Sequence, residues 1–174
     1  YENIETKVGY KESDILGGTD PYSASKSMAE ISIKSYFKSY IKNKNNLRLG
    51  IVRAGNVIGG GDWSKDRIIP DAMNSWSRNK KLIIRNPDST RPWQHVLEPL
   101  NGYLKLAHKL YLSKNLNGES FNFGPDAQNI IEVKYLIKKF SNKWKGSKWS
   151  TKKNKKFFES KLLYLNCEKS KKLI

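Results

Sequence analysis

Tyr22 and Lys26 are the first residues of the chain whose types and spacing could support chemistry. Side chains at i and i+4 lie on one face of an α-helix, so the lysine ammonium can approach the tyrosine ring. A neighbouring positive charge favours the phenolate form of a tyrosine. Tyr22 is therefore a candidate general base, and Lys26 has hydrogen-bond donors that suit a ribose.

The setting of this pair decides how much weight it carries, because Tyr-x-x-x-Lys also occurs by chance on ordinary packing surfaces. Here it follows a loop that contains Gly17 and Gly18, begins directly after Pro21, and is flanked by serines and alanines. Small residues allow a ligand to approach the backbone closely. We therefore predict a binding site at the start of this helix.

The elements that must position the pair follow from the hydrophobic pattern. Helices alternate with short strands along the chain, which predicts an α/β fold. The predicted helices cover 22–42, 67–79, 97–113 and 130–140, a last one starts near Asn166, and the predicted strands cover 47–54, 81–85 and 120–123. The sequence has no Gly-x-Gly-x-x-Gly fingerprint, so the main cradle for any dinucleotide would lie elsewhere.

Composition limits the function further. Hydrophobic residues make up 37% of the 174 residues, enough for a compact domain with a core. The net charge of +17 leaves a basic nucleic-acid-binding domain as an alternative, but the lysines lack regular aromatic interleaving, and a solvated surface is the favoured interpretation. One cysteine and two histidines predict neither a disulfide nor a metal site. We expect a cytoplasmic location and no membrane segment.

Five motifs give the sequence a specific resemblance. The segment DPYSASKSMAE at 20–30 resembles the active-site helix of extended short-chain dehydrogenases/reductases. RAGNVIGGGDW at 53–63 and DRIIP at 66–70 resemble the substrate loop of that superfamily. IRNPDSTRPWQHVLEP at 84–99 narrows the resemblance to the CDP-glucose 4,6-dehydratases, with Arg91-Pro92 where other members usually carry Arg-Asp, and FNFGP at 121–125 is a further match.

The resemblance implies a role for each matching residue. Tyr22 would accept the proton of the C4 hydroxyl while hydride passes to NAD, and Lys26 would hold the nicotinamide ribose. Ala54 and Gly55 would lie against the nicotinamide. The expected contacts with the nucleotide and diphosphate are Asn56, Arg67 and Arg91.

The resemblance also implies an architecture and an activity. The fold would be part of an NAD-binding Rossmann-type doubly wound domain, mostly 1–55 and 97–123, plus a small α/β substrate-binding lobe, mostly 56–96 and 124–174. The reaction would convert CDP-glucose to CDP-4-dehydro-6-deoxyglucose, in a cytoplasmic homodimer formed through the helix that starts at Tyr22. The chain would be a piece cut at both ends and inactive alone. A nucleotide-sugar epimerase or a GDP- or dTDP-sugar 4,6-dehydratase is the alternative.

Overall fold

The computed structural model describes residues 1–126, 130–152 and 161–174. Within them, the α-helices are α1 Pro21–Tyr36, α2 Ile68–Ser77, α3 Leu97–Leu112, α4 Val133–Ser141 and α5 Glu168–Leu173. The strands are β1 Ile51–Ala54, β2 Val57–Ile58, β3 Leu82–Ile84, β4 Thr90–Pro92, β5 Gln94–His95, β6 Ser120–Phe123, β7 Ile130–Glu132 and β8 Trp149–Thr151.

Helix α1 begins where local chemistry favours a helix start. The Asp20 carboxylate accepts a hydrogen bond from the backbone N–H of Ser23 at 3.0 Å, and Pro21 fills the first turn. Both features stabilise an N-terminus whose first amides have no partner within the helix. The helix continues as a π-helical turn, Phe37–Ile41, so the predicted helix over 22–42 is confirmed apart from this change of hydrogen bonding.

The strands pair in four two-stranded sheets within the described residues. Strand β1 lies parallel to β6, with Ile51 opposite Ser120 and Ala54 opposite Phe123. Strands β2 and β5 also pair in parallel, as do β3 and β8, whereas β4 and β7 are antiparallel. Because β1 and β6 are parallel, the carboxyl ends of both strands lie at the same edge of their sheet.

Two predicted elements are corrected by the structure. The helix predicted over 130–140 is wrong in its first turn, because Ile130–Glu132 is strand β7 and pairs with β4. The strand predicted over 47–54 is shorter in the structure, where it begins at Ile51 and ends at Ala54. At Ile130–Glu132, pairing with the distant strand β4 outweighs the local helical pattern.

Among the described residues, the buried side chains form three core clusters. The first joins α2, β3 and α4, and its buried members are Ala72, Trp76, Leu82, Ile84, Val133 and Ile137. The second joins α3 to β6 through Leu106, Leu110 and Phe121, with Val52 of β1 packed against them. A smaller cluster ties the first residues of the chain to the last ones through Tyr10, Leu165 and Cys167.

Helix length bears on membrane insertion. The two longest α-helices, α1 and α3, have 16 residues each, fewer than the roughly 20 apolar residues that cross a bilayer. Among the residues that the structure describes, no helix is both long and apolar enough to span a membrane.

Candidate functional site

A cleft of about 1030 Å³ lies between the start of α1, the carboxyl end of β1, helix α2 and strand β3. Its wall includes most of the predicted site residues: Tyr22, Ala54, Gly55, Asn56, Arg67 and Arg91. These residues come from four separate stretches of sequence, so the fold brings together what the motifs predicted separately. The size suits a ligand larger than a single sugar ring.

Tyr22 stands at the edge of this cleft on the first turn of α1. Its side chain is 64% exposed, so a ligand in the cleft can reach the hydroxyl. The Lys26 ammonium nitrogen lies 5.5 Å from the centroid of the Tyr22 ring, one helical turn further along the same face. Lys26 is also exposed, but it lies beside the cleft rather than in its wall.

The carboxyl end of β1 forms the floor of the cleft. Gly55 donates its backbone N–H to the carbonyl of Phe123 at 3.1 Å, and the carbonyl of Asn56 accepts from Gln94 at 2.9 Å. A Cβ atom on Gly55 would lie 2.7 Å from Cγ of Pro92 and 2.9 Å from its carbonyl oxygen. Gly55 therefore lets two backbones approach closely, which holds the floor in place.

Several charged groups face the cleft from the opposite side. Nε of Arg67 lies 3.8 Å from a carboxylate oxygen of Asp62, and Nη2 of Arg85 donates to Asp66 at 2.9 Å. Arg91 donates from Nη1 to the carbonyl of Thr90 at 2.8 Å. The guanidinium groups give this wall the planar donors that bind phosphate oxygens in pairs.

Behind the floor lies a buried ion pair that the sequence analysis missed. Arg53, the residue before Ala54, donates from Nε to Oε2 of Glu30 at 2.8 Å and from Nη2 to Oε1. Burial alone would raise the pKa of the Glu30 carboxyl, but hydrogen bonds and charges from Arg53 and Lys34 outweigh it and lower the pKa to about 2. Glu30 stands eight residues after Tyr22, two turns further along the same helix.

The same network extends to the first residue of the described chain. The Tyr1 hydroxyl accepts a hydrogen bond from Nη1 of Arg53 and donates to Oδ1 of Asn122 at 2.6 Å. Burial raises the pKa of Tyr1 to about 12, against the opposing effect of the Arg53 charge. The hydroxyl therefore stays protonated and continues to donate to Asn122, which lies in β6.

The parallel strands, the cleft at their carboxyl ends and the Tyr-x-x-x-Lys helix at its edge agree with the Rossmann-type class of proteins that the motifs predicted. The sequence matches the NAD dependent epimerase/dehydratase family over residues 5–124. The chain belongs to this family.

Among curated proteins, the chain is 42% identical over 175 residues to the CDP-glucose 4,6-dehydratase of Salmonella typhimurium, a match that covers 98% of this chain and 49% of the relative. It is 33% identical over 129 residues to the dTDP-D-glucose 4,6-dehydratase of Dictyostelium discoideum, covering 72% of this chain and 27% of that protein. The chain thus spans about half the length, or less, of these two relatives.

Solved structures agree on the fold. An epimerase from Methanothermobacter thermautotrophicus superposes with a TM-score of 0.82 at 17% identity, covering 98% of this chain and 49% of the other. The UDP-glucuronic acid 4-epimerase of Bacillus cereus superposes with a TM-score of 0.78 at 19% identity, covering 97% and 51%. The likeness establishes the Rossmann-type α/β fold of this family for the chain.

Proposed function

We propose that this chain supplies one half of an NAD-dependent nucleotide-sugar 4,6-dehydratase, a hydro-lyase that converts CDP-glucose to CDP-4-dehydro-6-deoxyglucose. The observation that carries the proposal is the cleft, where Tyr22 and the floor Ala54–Asn56 face arginines Arg67 and Arg91. The 42% identity to the Salmonella CDP-glucose 4,6-dehydratase supports this choice of substrate.

The residues at the floor suit the nicotinamide end of NAD. Ala54 and Gly55 leave the strand end free of bulky side chains, and Lys26 lies one turn beyond Tyr22 with donors that suit a ribose. NAD bound there would supply a reversible hydride acceptor, so no net oxidation of the sugar would result. The Tyr22 oxygen would accept the proton of the C4 hydroxyl when the sugar is oxidised.

The arginines on the opposite wall would bind the diphosphate. The pairs Arg67–Asp62 and Arg85–Asp66 are exposed, and exposed ion pairs contribute about 0–1 kcal/mol. A diphosphate with two negative groups can therefore replace these carboxylates at little cost. The Arg91 guanidinium would add further paired N–H donors for phosphate oxygens.

We also propose the division into two parts that the resemblance implies. Residues 1–55 and 97–123 would belong mostly to the Rossmann part, and residues 56–96 and 124–174 mostly to the substrate-binding lobe. The buried clusters support this division, since Leu106, Leu110 and Phe121 pack in one core while Trp76, Ile84 and Ile137 pack in another.

A homodimer through α1 belongs to the same proposal. Helix α1 exposes Met28, Ile31 and Tyr36, and α3 exposes Leu104 and Tyr111. Apolar side chains of this size are expected at a protein interface. The dimer is proposed for the full-length enzyme, and sedimentation of that enzyme at increasing concentration tests it: a species that stays monomeric at every concentration would contradict the proposal.

A reducing, cytoplasmic setting is proposed on the basis of Cys167, the single cysteine, which is buried. Because the proposed product lacks the 6-hydroxyl, we place the reaction upstream of a dideoxyhexose such as those of lipopolysaccharide O-antigens.

The family match also favours a second candidate, a 4-epimerase or a dehydratase acting on another nucleotide sugar. The family includes epimerases, and the Dictyostelium relative is named for dTDP-D-glucose. An epimerase needs Tyr22 and NAD but no elimination of water, so the product separates the two candidates.

Two experiments test the proposal. The first measures binding of CDP-glucose, dTDP-glucose, UDP-glucose and a single-stranded oligonucleotide to the 174-residue chain by calorimetry at two salt concentrations. Preference for CDP-glucose supports the proposal, and salt-sensitive binding of the oligonucleotide alone would favour a nucleic-acid function.

The second experiment measures activity. The parts of the Salmonella relative outside the matched region are joined to the corresponding ends of this chain, and the product of CDP-glucose with NAD is followed by NMR. A new C6 methyl signal is expected from the dehydratase. A fusion that binds NAD but forms a 4-epimer, or no product, would contradict the proposed function.

A further inference from the structure

Helix α1 carries a row of charged and aromatic side chains at intervals of four residues. Tyr22, Lys26, Glu30 and Lys34 form a row that turns gradually around the helix, so that each residue neighbours the next. The Lys26 ammonium lies 5.5 Å from the Tyr22 ring centroid, and Nζ of Lys34 lies 2.9 Å from Oε1 of Glu30. The face that holds the proposed base is therefore continuous with the face that holds the buried carboxylate.

Glu30 is fastened to the sheet from two strands. Arg53 of β1 binds both of its carboxylate oxygens, and both side chains are about one-tenth exposed. The hydroxyl of Ser120, in the paired strand β6, donates to Oε1 of Glu30 at 3.1 Å. A guanidinium that contacts both oxygens of a carboxylate fixes the orientation of the two side chains as well as the distance between them.

Helix α1 has few other buried anchors. Of its 16 residues, Ser27 and Glu30 are the buried ones, and both are polar. Ser27 donates from its hydroxyl to the carbonyl of Gly17 at 2.7 Å, which ties the helix to the preceding loop. Within α1 itself, the buried contacts that set its position along the sheet are therefore directional and polar, and the buried apolar Phe37 follows in the π-helical turn.

Arg53 also connects this contact to the floor of the cleft, because it directly precedes Ala54, Gly55 and Asn56. A shift of α1 relative to β1 would move the Tyr22 hydroxyl relative to that floor. In enzymes, misplacing a reacting group by about 1 Å can cost about 100-fold in rate.

We propose that Glu30 and Arg53 are positioning residues: their ion pair fixes α1 against β1 and so sets the Tyr22 hydroxyl at the distance from the cleft floor that proton transfer requires. The inference rests on the proposed function. It concerns the alignment of the base rather than the binding of substrate. Loss of the pair should therefore slow the step that Tyr22 assists, while substrate affinity stays the same.

The fusion enzyme described above provides the test. Arg53→Lys keeps the charge but removes the two-point contact, and Glu30→Gln keeps the shape but removes the charge. We expect kcat to fall roughly 10- to 100-fold, with KM for CDP-glucose unchanged within about twofold. With CDP-glucose deuterated at C4, the kinetic isotope effect on kcat should rise, because hydride transfer becomes slower than the other steps.

Lys34→Met is the matched control. It removes the more exposed partner of Glu30 and leaves Arg53 in place, so kcat and the isotope effect should stay those of the unaltered enzyme. Thermal unfolding of each variant gives the folded fraction at the assay temperature. If Glu30→Gln and Arg53→Lys do not fold, Ser120→Ala, which removes one hydrogen bond to Glu30, is measured in the same way and should show a smaller decrease with a raised isotope effect.

The outcomes separate the inference from the function on which it rests. Folded variants with a lower melting temperature but unchanged kcat and isotope effect would overturn the positioning role and leave the proposed function intact. An unaltered fusion that binds NAD but makes no dehydrated product overturns the proposed function, and the positioning role is then rejected with it.

Discussion

Replacing Glu30 by glutamine should remove an acid-sensitive part of the stability of the chain. The Glu30 carboxylate is buried against Arg53, and its pKa is lowered from an ordinary value of 4.5 to about 2. A carboxyl whose pKa is lower in the folded state stabilises the fold above its unfolded pKa. That contribution is lost as the pH falls from about 4.5 towards 2.

The size of the effect follows from the two pKa values. The difference between 4.5 and about 2 corresponds to about 3 kcal/mol of unfolding free energy once the carboxyl is ionised in both states. At pH 3, about 1 kcal/mol of this remains by the same relation. The difference in stability between the unaltered chain and Glu30→Gln should therefore shrink by about 2 kcal/mol between pH 7 and pH 3.

Urea unfolding of the 174-residue chain, followed by circular dichroism at pH 7 and pH 3, measures this difference. Glu98→Gln, at an exposed glutamate of α3, is the control. The difference in unfolding free energy between the unaltered chain and Glu98→Gln should change by less than about 0.5 kcal/mol between the two pH values. The unaltered chain and Glu30→Gln could instead differ by the same unfolding free energy at both pH values. That result would show that the ion pair does not hold the carboxyl ionised.

Three other changes have expected outcomes. In the fusion enzyme, Tyr22→Phe should lower kcat roughly 10²–10⁴-fold and leave CDP-glucose binding almost unchanged, as steady-state kinetics and calorimetry will show; near-normal kcat would remove Tyr22 as the base. Arg91→Ala should raise KM and cost about 2–4 kcal/mol in kcat/KM, and an unchanged KM would place Arg91 outside the diphosphate site. In the chain alone, Gly102→Ala should lower the unfolding free energy by about 1–3 kcal/mol, because its Cβ would lie 2.2 Å from the Phe123 ring; an unchanged urea midpoint would contradict that packing.

The residues of the cleft were largely predictable because each lies within a contiguous motif. Tyr22 follows a helix cap, and Ala54, Gly55 and Asn56 lie at the carboxyl end of strand β1, so local sequence indicates both the chemistry and the turn that exposes it. The α/β class followed from the alternation of helices and strands, and the Rossmann-type fold from the resemblance; the family match confirms both. The roles given to these residues stay predictions.

The contacts between distant segments were not predictable from the sequence. The Glu30–Arg53 pair joins a helix to a strand 23 residues away, and many other opposite charges in the chain could pair. Strands such as β2 Val57–Ile58 and β5 Gln94–His95 have two residues each, too few to show an alternating pattern. Ile130–Glu132 forms a strand through its pairing with β4, which no local signal indicates.

The buried amide of Asn122 also affects the order in which the chain can fold. Its Nδ2 donates to the carbonyls of Tyr10 at 2.8 Å and Asn166 at 3.0 Å, and its Oδ1 accepts from Tyr1. Two of these partners precede it by more than 100 residues, so large loops must close before the amide loses its water. Strand β6 can pair with β1 early, but its outer side stays hydrated until both chain ends dock. We expect that docking to be the late, slow step of folding.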